Sequence, residues 1–504
     1  MTVLICGASG LVGQELCNFL DKKNVKYIGT YNTKLISKDN MYKIDFKNYL
    51  EVKKFLEENK ITCCVFCIVE RITDICEEDW NKTKSTNIDL VNTVSYICNE
   101  LGIRFIHLST DYVFDGNKQP NFPNDKKNPL QNYGISKLIS ELKVVNNCSN
   151  YTIIRTPVLY SSLSKLHENA ITLISKNIFD LRKKEKNEDN YSIRRPLYIR
   201  DLCEFIFENI YNNNIGIYHF YNPYNHFTKY EITKIISEYL NITSHHIIPD
   251  NNKFTGLASR PYDTQLMDEN INIEKYNFTK FNESIIDCFS KFKDFKIDKD
   301  TFLLIDFDNT ILETNKLHYN SYKKSFENNG IDFSLSYDEW NYIILNENID
   351  DYLKTNFSGI YNEIKKEKFK MLETLVYKED VFFTKNSDIF IDHLIKHDIN
   401  FCVVTNTNKK TIDLFMDKIP FLKKINNWIT RDEYKLPKPD PECFQLAIKK
   451  YYKGEKNIIG IEDSYVGFDS LKNITDKIYI YNNEKIFKNE DCFYFDDFNQ
   501  ILEV

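Results

Sequence analysis

Near its start the chain reads Gly7-Ala8-Ser9-Gly10-Leu11-Val12-Gly13, between an apolar segment and an amphipathic one. In a strand–turn–helix, the first glycine of such a run makes the tight turn. The later ones let the backbone approach a pyrophosphate, and the helix N-terminus faces the phosphates. Gly7, Ser9, Gly10, Leu11, Val12 and Gly13 are therefore the candidate cofactor-binding residues. Only 14 of 504 residues are glycine, against about 7% in an average chain, so three in the first 13 residues mark a backbone that demands them. The acidic residue expected about 20 positions on, to grip a ribose 2′-hydroxyl, is missing. The second apolar segment ends instead in Gly29-Thr30-Tyr31-Asn32-Thr33-Lys34. Lys34 suits a 2′-phosphate, which favours NADP(H), with NAD as the alternative.

Tyr133 and Lys137 lie at i and i+4, one face of a helix. A cation beside a phenol stabilises phenolate and lowers its pKa, so this pair is expected to pass a proton at neutral pH. Thr110, in Ser109-Thr110-Asp111-Tyr112-Val113-Phe114-Asp115-Gly116 at the end of the fourth strand, is placed to orient a substrate carbonyl.

The second half has its own constellation. Leu303-Leu304-Ile305-Asp306-Phe307-Asp308-Asn309-Thr310 is an apolar strand ending in two carboxylates two residues apart. Further apolar segments end in Thr405-Asn406-Thr407 and in Glu462-Asp463-Ser464, and Lys438 sits among Pro437, Pro439 and Pro441. Carboxylates converging at strand ends suit Mg²⁺, a hard cation that takes oxygen ligands and shares a phosphate. On this reading the pair Asp306 and Asp308 is the candidate metal site.

The elements that must position these groups alternate. In the first half strands are expected at 2–6, 27–31, 63–69, 105–109 and 152–160, with helical patterns at 11–22 and 90–101 among them. In the second half strands are expected at 302–306, 401–405, 458–461 and 477–481, with a purely helical stretch from 309 to about 397. Strand–helix alternation predicts βαβ units and parallel sheets. The fold class is α/β, two Rossmann-like domains. The expected division is 1–292, a Lys-rich linker at 293–300, and 301–504 with a helical cap at about 314–390.

Composition excludes other classes. Sixty-six Lys+Arg against 73 Asp+Glu leave −7, which removes the electrostatic reason for general nucleic-acid binding. Apolar runs fall short of the roughly 20 residues of a membrane helix, and the N-terminus reads as strand and turn rather than a signal peptide. Thirteen scattered cysteines point to reduced thiols and a cytoplasmic setting. Cys64 and Cys67, formally C-x-x-C, lie on an apolar strand and read as buried thiols.

Residues 1–290 resemble the extended short-chain dehydrogenases/reductases, and within them the dTDP-4-dehydrorhamnose reductase family. The resemblance rests on the glycine turn, the segment from Ser109 to Gly116, Tyr133-Gly134 with Lys137, Arg155, and Arg260-Pro261 with Leu266. It implies Tyr133 and Lys137 as the catalytic pair and Thr110 as holder of the reacting carbonyl. NADP(H) is the implied cofactor and a 4-keto-6-deoxy nucleotide sugar the substrate. Arg195-Pro196, Asp201 and the stretch from Phe227 to Glu231 also look like the regulatory β subunit of methionine adenosyltransferase. That relative implies a non-catalytic, NADP-binding partner of a methionine adenosyltransferase catalytic subunit. In place of the small residues usual after the third strand, the chain has Cys67-Ile68-Val69, and Ser161 replaces a usual glycine.

Residues 301–504 resemble the haloacid dehalogenase superfamily, whose four motifs occur in order. The resemblance implies Asp306 as a nucleophile forming an aspartyl-phosphate and Asp308 as general acid/base. Thr405 and Lys438 hold phosphoryl oxygens, and Asp463, beside Glu462, completes a Mg²⁺ site with Asp306 and the Asp308 carbonyl. The segment from Glu313 to His318 looks like the hinge of sugar-phosphate phosphatases and mutases. The expected whole is a fusion of a reductase with a phosphatase of a small phosphorylated metabolite, with sugar-phosphate mutase as the alternative.

Overall fold

The structure, a computed structural model, describes every residue except 33–37, 163–165, 183, 213, 254, 294, 347–348, 483–486, 488–489 and 503–504. It divides into two compact units. Met1–Ile178, Glu185–Tyr239 and Thr243–Ser290 form the first; Phe179–Lys184, Leu240–Ile242 and Lys291–Val504 form the second.

The first unit contains β1 (Val3–Cys6), β2 (Tyr27–Tyr31), β3 (Met41–Lys43), β4 (Cys63–Phe66), β5 (Arg104–Thr110), β6 (Tyr151–Thr156), β7 (Leu159–Tyr160), β8 (Lys186–Asp189), β9 (Leu197–Tyr198), β10 (Gly216–His219) and β11 (Ile247–Asp250). Seven of them form one parallel sheet in the order β10-β6-β5-β4-β1-β2-β3, and β7 pairs with β9 and β8 with β11. Successive side chains of each central strand point to opposite faces. Val3, Ile5, Val65, Ile106 and Ile154 pack on one side with Leu16, Leu20, Leu202 and Ile206. Leu4, Cys6, Cys64, Phe66, Phe105 and Ile153 pack on the other with Val91, Val94 and Ile97. Helices on both faces explain why the strands read as continuous apolar runs. Strand order reverses between β1 and β4, and the crevice at their carboxyl ends is where such sheets take ligands.

The second unit has a parallel sheet of β12 (Thr301–Ile305), β13 (Asn400–Val404), β14 (Trp428–Ile429), β15 (Asn457–Glu462), β16 (Ile478–Tyr481) and β17 (Phe493–Phe495), ordered β14-β13-β12-β15-β16-β17. The reversal point is β12, flanked by β13 and β15. Helices Asn315–Asn328, Tyr337–Asn346, Ile349–Asn356 and Tyr361–Lys378 follow β12. They have a small core of their own around Tyr322, Phe326, Trp340, Leu353 and Ile364. Within 293–300, Phe295 and Ile297 are buried, Phe295 against Tyr479 and Phe493.

Every central strand lies where the apolar pattern put it. The expected strand 63–69 stops at Phe66, leaving Cys67, Ile68 and Val69 beyond the sheet, and 152–160 is split into β6 and β7. The strands of the two large sheets that the pattern missed, β3, β10, β14 and β17, all sit at sheet edges, where pairing is one-sided; β8, β9 and β11, also missed, belong to two-stranded pairs. β3 and β10 are half exposed, so no continuous apolar run marks them. Among the described residues no helix is long and apolar enough to cross a membrane, and no disulfide is formed.

Candidate functional site

In the second unit four loops at the carboxyl ends of neighbouring strands converge. Lys438, 3% exposed, donates to Asp306 Oδ1 at 2.6 Å, to Glu462 Oε1 at 2.7 Å and to the Val404 carbonyl at 3.0 Å. Asp306, Glu462 and Asp463, all buried, bring carboxylate oxygens within 4.8 Å of one another. Two buried acids thus share one ammonium, with a third buried acid beside them. Burial, then Glu462, pushes Asp306 up to about 8 despite Lys438. Burial, then Glu462 and Asp306, drives Asp463 well above the carboxylate range. Burial alone would lower Lys438, but Asp306 and Glu462 outweigh it and hold the ammonium charged. An excess of hard oxygen donors over positive charge is the donor set a small divalent cation fits.

Glu462 differs from the other two acids. Its Oε2 accepts from the Asp463 and Ser464 backbone N–H groups at 3.0 and 3.1 Å and from the Ser464 hydroxyl at 3.0 Å. With Oε1 on Lys438, both its oxygens are engaged. Glu462 braces Lys438, and Asp306 and Asp463 are the acids of the trio that would hold a metal.

The Asp308 carboxylate stands outside the acidic trio; the group that the resemblance assigns to the metal is its main-chain carbonyl. Its Oδ1 accepts from the Thr314 hydroxyl at 2.8 Å and faces His318 Nε2 at 3.4 Å. Its Oδ2 accepts from the hydroxyls of Thr407 at 2.7 Å and Thr405 at 3.0 Å. Burial would raise this carboxyl, but the bonds from His318, Thr407 and Thr314 prevail and hold it below the carboxylate range. Thr405, expected to touch a phosphoryl group, spends its hydroxyl on Asp308. Asn309 adopts a left-handed conformation, φ +55°, which asparagine tolerates better than most residues. Its Oδ1 accepts from the N–H groups of Thr314 and Asn315. The sequence reading missed Thr314, Thr407 and Ser464, whose hydroxyls lie six residues beyond Asp308 or within two of a motif residue; that spacing was the available signal.

These groups line a cavity of about 710 Å³ whose other wall is built from the cap, including Tyr322, Trp340, Asp350, Lys365 and Lys368.

In the first unit the glycine turn closes at the β1–β4 crevice. Gly7 has φ +84°, a conformation that favours glycine. A Cβ on Gly13 would lie 2.2 Å from the Gly7 carbonyl oxygen, so only glycine lets helix Leu11–Lys22 approach. Gly10 is the N-cap, exposed, with no side chain bonded to the free N–H groups behind it. Those groups are the available anion donors. Ser9, Leu11 and Val12 are half-buried along the same turn. Ile68 reaches the site as well: its Cγ1 lies 2.9 Å from where a Gly7 Cβ would stand. Lys34 lies outside the described residues.

Tyr133 and Lys137 share a face of helix Asn132–Asn147, but the expected lowering of the phenol pKa is reversed. Burial raises Tyr133, only partly offset by the Thr110 hydrogen bond. The Lys137 ammonium donates instead to the Leu108 carbonyl at 2.7 Å and meets His107 Nε2 at 3.3 Å. Burial brings Lys137 down to about 8. Thr110 also donates to Asp111 Oδ1 at 3.0 Å, and burial lifts Asp111 to about 6. Arg155 is held by Glu141 at 2.7 and 2.9 Å inside the core, Arg195 by Asp263 at 2.8 Å and Arg260 by Asp74 at 3.2 Å. These motif arginines brace the loops around the site.

A doubly wound sheet with a glycine turn, and a second parallel sheet whose strand ends converge on acids and one lysine, define a chain with a reductase-like half and a hydrolase-like half. Residues 1–293 match the model of the RmlD substrate binding domain family, to which the chain belongs, and 303–478 match that of the haloacid dehalogenase-like hydrolases. Methionine adenosyltransferase 2 subunit beta of Xenopus tropicalis is 28% identical over 271 residues, covering 52% of this chain and 79% of that protein. The dTDP-4-dehydrorhamnose reductase of Clostridium acetobutylicum is 26% identical with a TM-score of 0.50, covering 57% of this chain and 97% of that one. The Bacillus anthracis reductase, solved in complex with NADP, shares the fold at 22% identity and a TM-score of 0.50, covering 57% and 98%.

Proposed function

We propose that the C-terminal half is a Mg²⁺-dependent phosphatase of a small phosphorylated metabolite, with Asp306 as nucleophile. The observation that carries this reading is the charge imbalance: Asp306 and Glu462 share the ammonium of Lys438, and the buried Asp463 brings a third carboxylate within 4.8 Å. Mg²⁺, held by Asp306 and Asp463, neutralises charge on the acids and on the phosphoryl group when bound. Lys438 supplies the second positive centre. Asp306 attacks phosphorus and forms the aspartyl-phosphate while Asp308, which takes up a proton as the phosphomonoester brings its negative charge into the site, passes that proton to the leaving oxygen. Asp308, held ionised by its hydroxyl donors, then takes a proton from the water that releases phosphate. The cap wall closes the cavity to bulky substrates, which favours a metabolite over a phosphoprotein. Phosphate release from a phosphomonoester panel, lost on adding EDTA and in Asp306→Asn, tests the reading. Product analysis separates hydrolysis from sugar-phosphate mutase activity.

For the N-terminal half we propose NADP(H) binding at the glycine turn and reduction of a 4-keto-6-deoxy nucleotide sugar by Thr110, Tyr133 and Lys137. The carrying observation is the uncapped helix N-terminus at Gly10 beside the left-handed Gly7. A second reading has its own support. The relatives named methionine adenosyltransferase 2 subunit beta, the raised Tyr133 and the committed Lys137 favour an NADP-binding regulatory subunit of a methionine adenosyltransferase. NADPH oxidation with dTDP-4-dehydrorhamnose, set beside pull-down with a methionine adenosyltransferase catalytic subunit, separates the two. A shared cytoplasmic setting for both halves is supported by the acidic balance and the absence of disulfides among the described residues.

A further inference from the structure

The cap wall of the second-unit cavity carries three lysines and two aspartates: Lys354, Lys365, Lys368, Asp350 and Asp351. Two of the lysines are matched. Lys365 pairs with Asp350 at 2.5 Å and Lys354 with Asp351 at 3.3 Å. Lys368, on helix Tyr361–Lys378, is only 7% exposed. Among the described residues it has no ion pair or hydrogen bond; its ammonium lies over the rings of Tyr322 at 5.3 Å and Phe369 at 4.9 Å. Trp340 lines the same cavity, is 1% exposed, and its indole N–H has no acceptor among the described residues.

Ammonium and indole N–H are donors with no accepting capacity. Asp350 and Asp308 lie within electrostatic reach of Lys368, but neither bonds its ammonium among the described residues. A buried ammonium and a buried indole N–H without hydrogen-bond acceptors are both unfavourable unless a ligand completes them. The reacting phosphoryl group is assigned above to Lys438, which bonds Asp306 directly, whereas Lys368 sits on a cap helix. A neutral hydroxyl satisfies a donor but adds no negative charge beside the buried ammonium of Lys368. An anionic group satisfies both.

We propose that the C-terminal site takes a phosphomonoester bearing a second anionic group, a carboxylate or another phosphate, seated against Lys368 and Trp340; the proposal rests on the phosphatase reading above. Lys368 is on this account a specificity-determining residue. Burial brings its ammonium down to about 8, and an anion beside it restores the charge.

The test uses the full chain with Mg²⁺ and probes that differ only in the tail: ethyl phosphate, 2-phosphoglycolate and 1,3-propanediol bisphosphate. The wild type is expected to favour an anionic tail over ethyl phosphate by roughly 10-fold or more in kcat/KM, mostly through KM. Which of the two anionic probes leads identifies the group as carboxylate or phosphate. Lys368→Met should collapse the ratio towards unity, Lys368→Arg should restore part of it, and Trp340→Phe should reduce it less. Calorimetry with 3-phosphonopropionate against propylphosphonate reads the same preference without turnover. If no phosphomonoester is hydrolysed, the phosphatase reading fails while calorimetry still decides on the anion subsite. Equal binding of the two phosphonates, or an unchanged selectivity ratio in folded Lys368→Met, overturns the proposal.

Discussion

A Cβ atom on Gly467 would stand 1.7 Å from Oε1 of Glu462, the same oxygen that accepts from Lys438. The absence of a side chain at Gly467 is therefore what lets Glu462 turn back over the first turn of helix Tyr465–Leu471 and brace the lysine. Gly467→Ala must move Glu462. The expected result is a destabilisation of about 1–3 kcal/mol from overpacking, read by urea unfolding. Phosphate release should fall by ~10-fold or more as Lys438 loses one of its two carboxylates. Unchanged unfolding and rate would show that Glu462 has another resting place.

Asp306 titrates in the folded protein near 8 because of burial and Glu462, against about 3.9 unfolded. Between these values the folded state binds more protons than the unfolded one. Stability of the metal-free protein should fall as pH rises through about 4 to 8. Asp463 is raised and acts in the same direction. Asp308 is lowered, so its contribution is present above about pH 4 and lost only as pH falls further. Mg²⁺ should flatten the fall between pH 5 and 8, and Asp306→Asn should remove much of it. Denaturant midpoints at several pH values, with EDTA or Mg²⁺, provide the measurement.

Lys438→Ala leaves Asp306 and Glu462 buried without their cation. Breaking such a pair typically costs about 3–5 kcal/mol, and loss of the electrostatic centre should reduce turnover on the order of 10²-fold or more. Asp306→Asn, in contrast, relieves the crowding of acids. It should eliminate turnover while the metal-free protein melts no lower than wild type. A lower melting temperature for Asp306→Asn in EDTA would contradict the charge argument.

At the glycine turn, two substitutions should fail for different reasons. Gly10 is exposed, and a Cβ there would meet the Gly7 carbonyl oxygen at 3.3 Å, a contact that a shift of a few tenths of an ångström relieves, so Gly10→Asp should still fold and lose NADP(H) binding by placing a negative charge at the helix N-terminus. Gly13→Ala meets the Gly7 carbonyl oxygen and should destabilise the fold itself. Nucleotide fluorescence and thermal unfolding, measured together, separate the two.

Tyr133→Phe removes the phenol but keeps the ring packed near Tyr112 at 6.3 Å. If the N-terminal half turns over, nucleotide-sugar reduction should drop by about 10²–10⁴-fold with NADP(H) affinity little changed. If it is a regulatory subunit, capture of a methionine adenosyltransferase catalytic subunit should survive the substitution.

What the sequence by itself determined were features carried by unbroken local patterns. Runs such as 302–305 and 458–461 are buried on both faces, so they are apolar throughout and read directly as central parallel strands. The candidate site residues at their ends were legible because a parallel sheet brings every carboxyl end to one edge, and the motifs stand there in order. Edge strands β3 and β10 were not legible, because a half-exposed strand needs no apolar run. The tertiary structure alone decided which donors reach which acids. The sequence places Thr405 and Asp308 97 residues apart and does not state that the hydroxyl goes to Asp308 rather than to substrate. Nor does it say that Lys137 turns to Leu108, leaving Tyr133 raised by burial. Lys368 looks like one more lysine in a Lys-rich helix until packing buries it with no hydrogen-bond acceptor among the described residues. Burial and pairing depend on contacts between distant segments, and they set the charge state on which the chemistry depends.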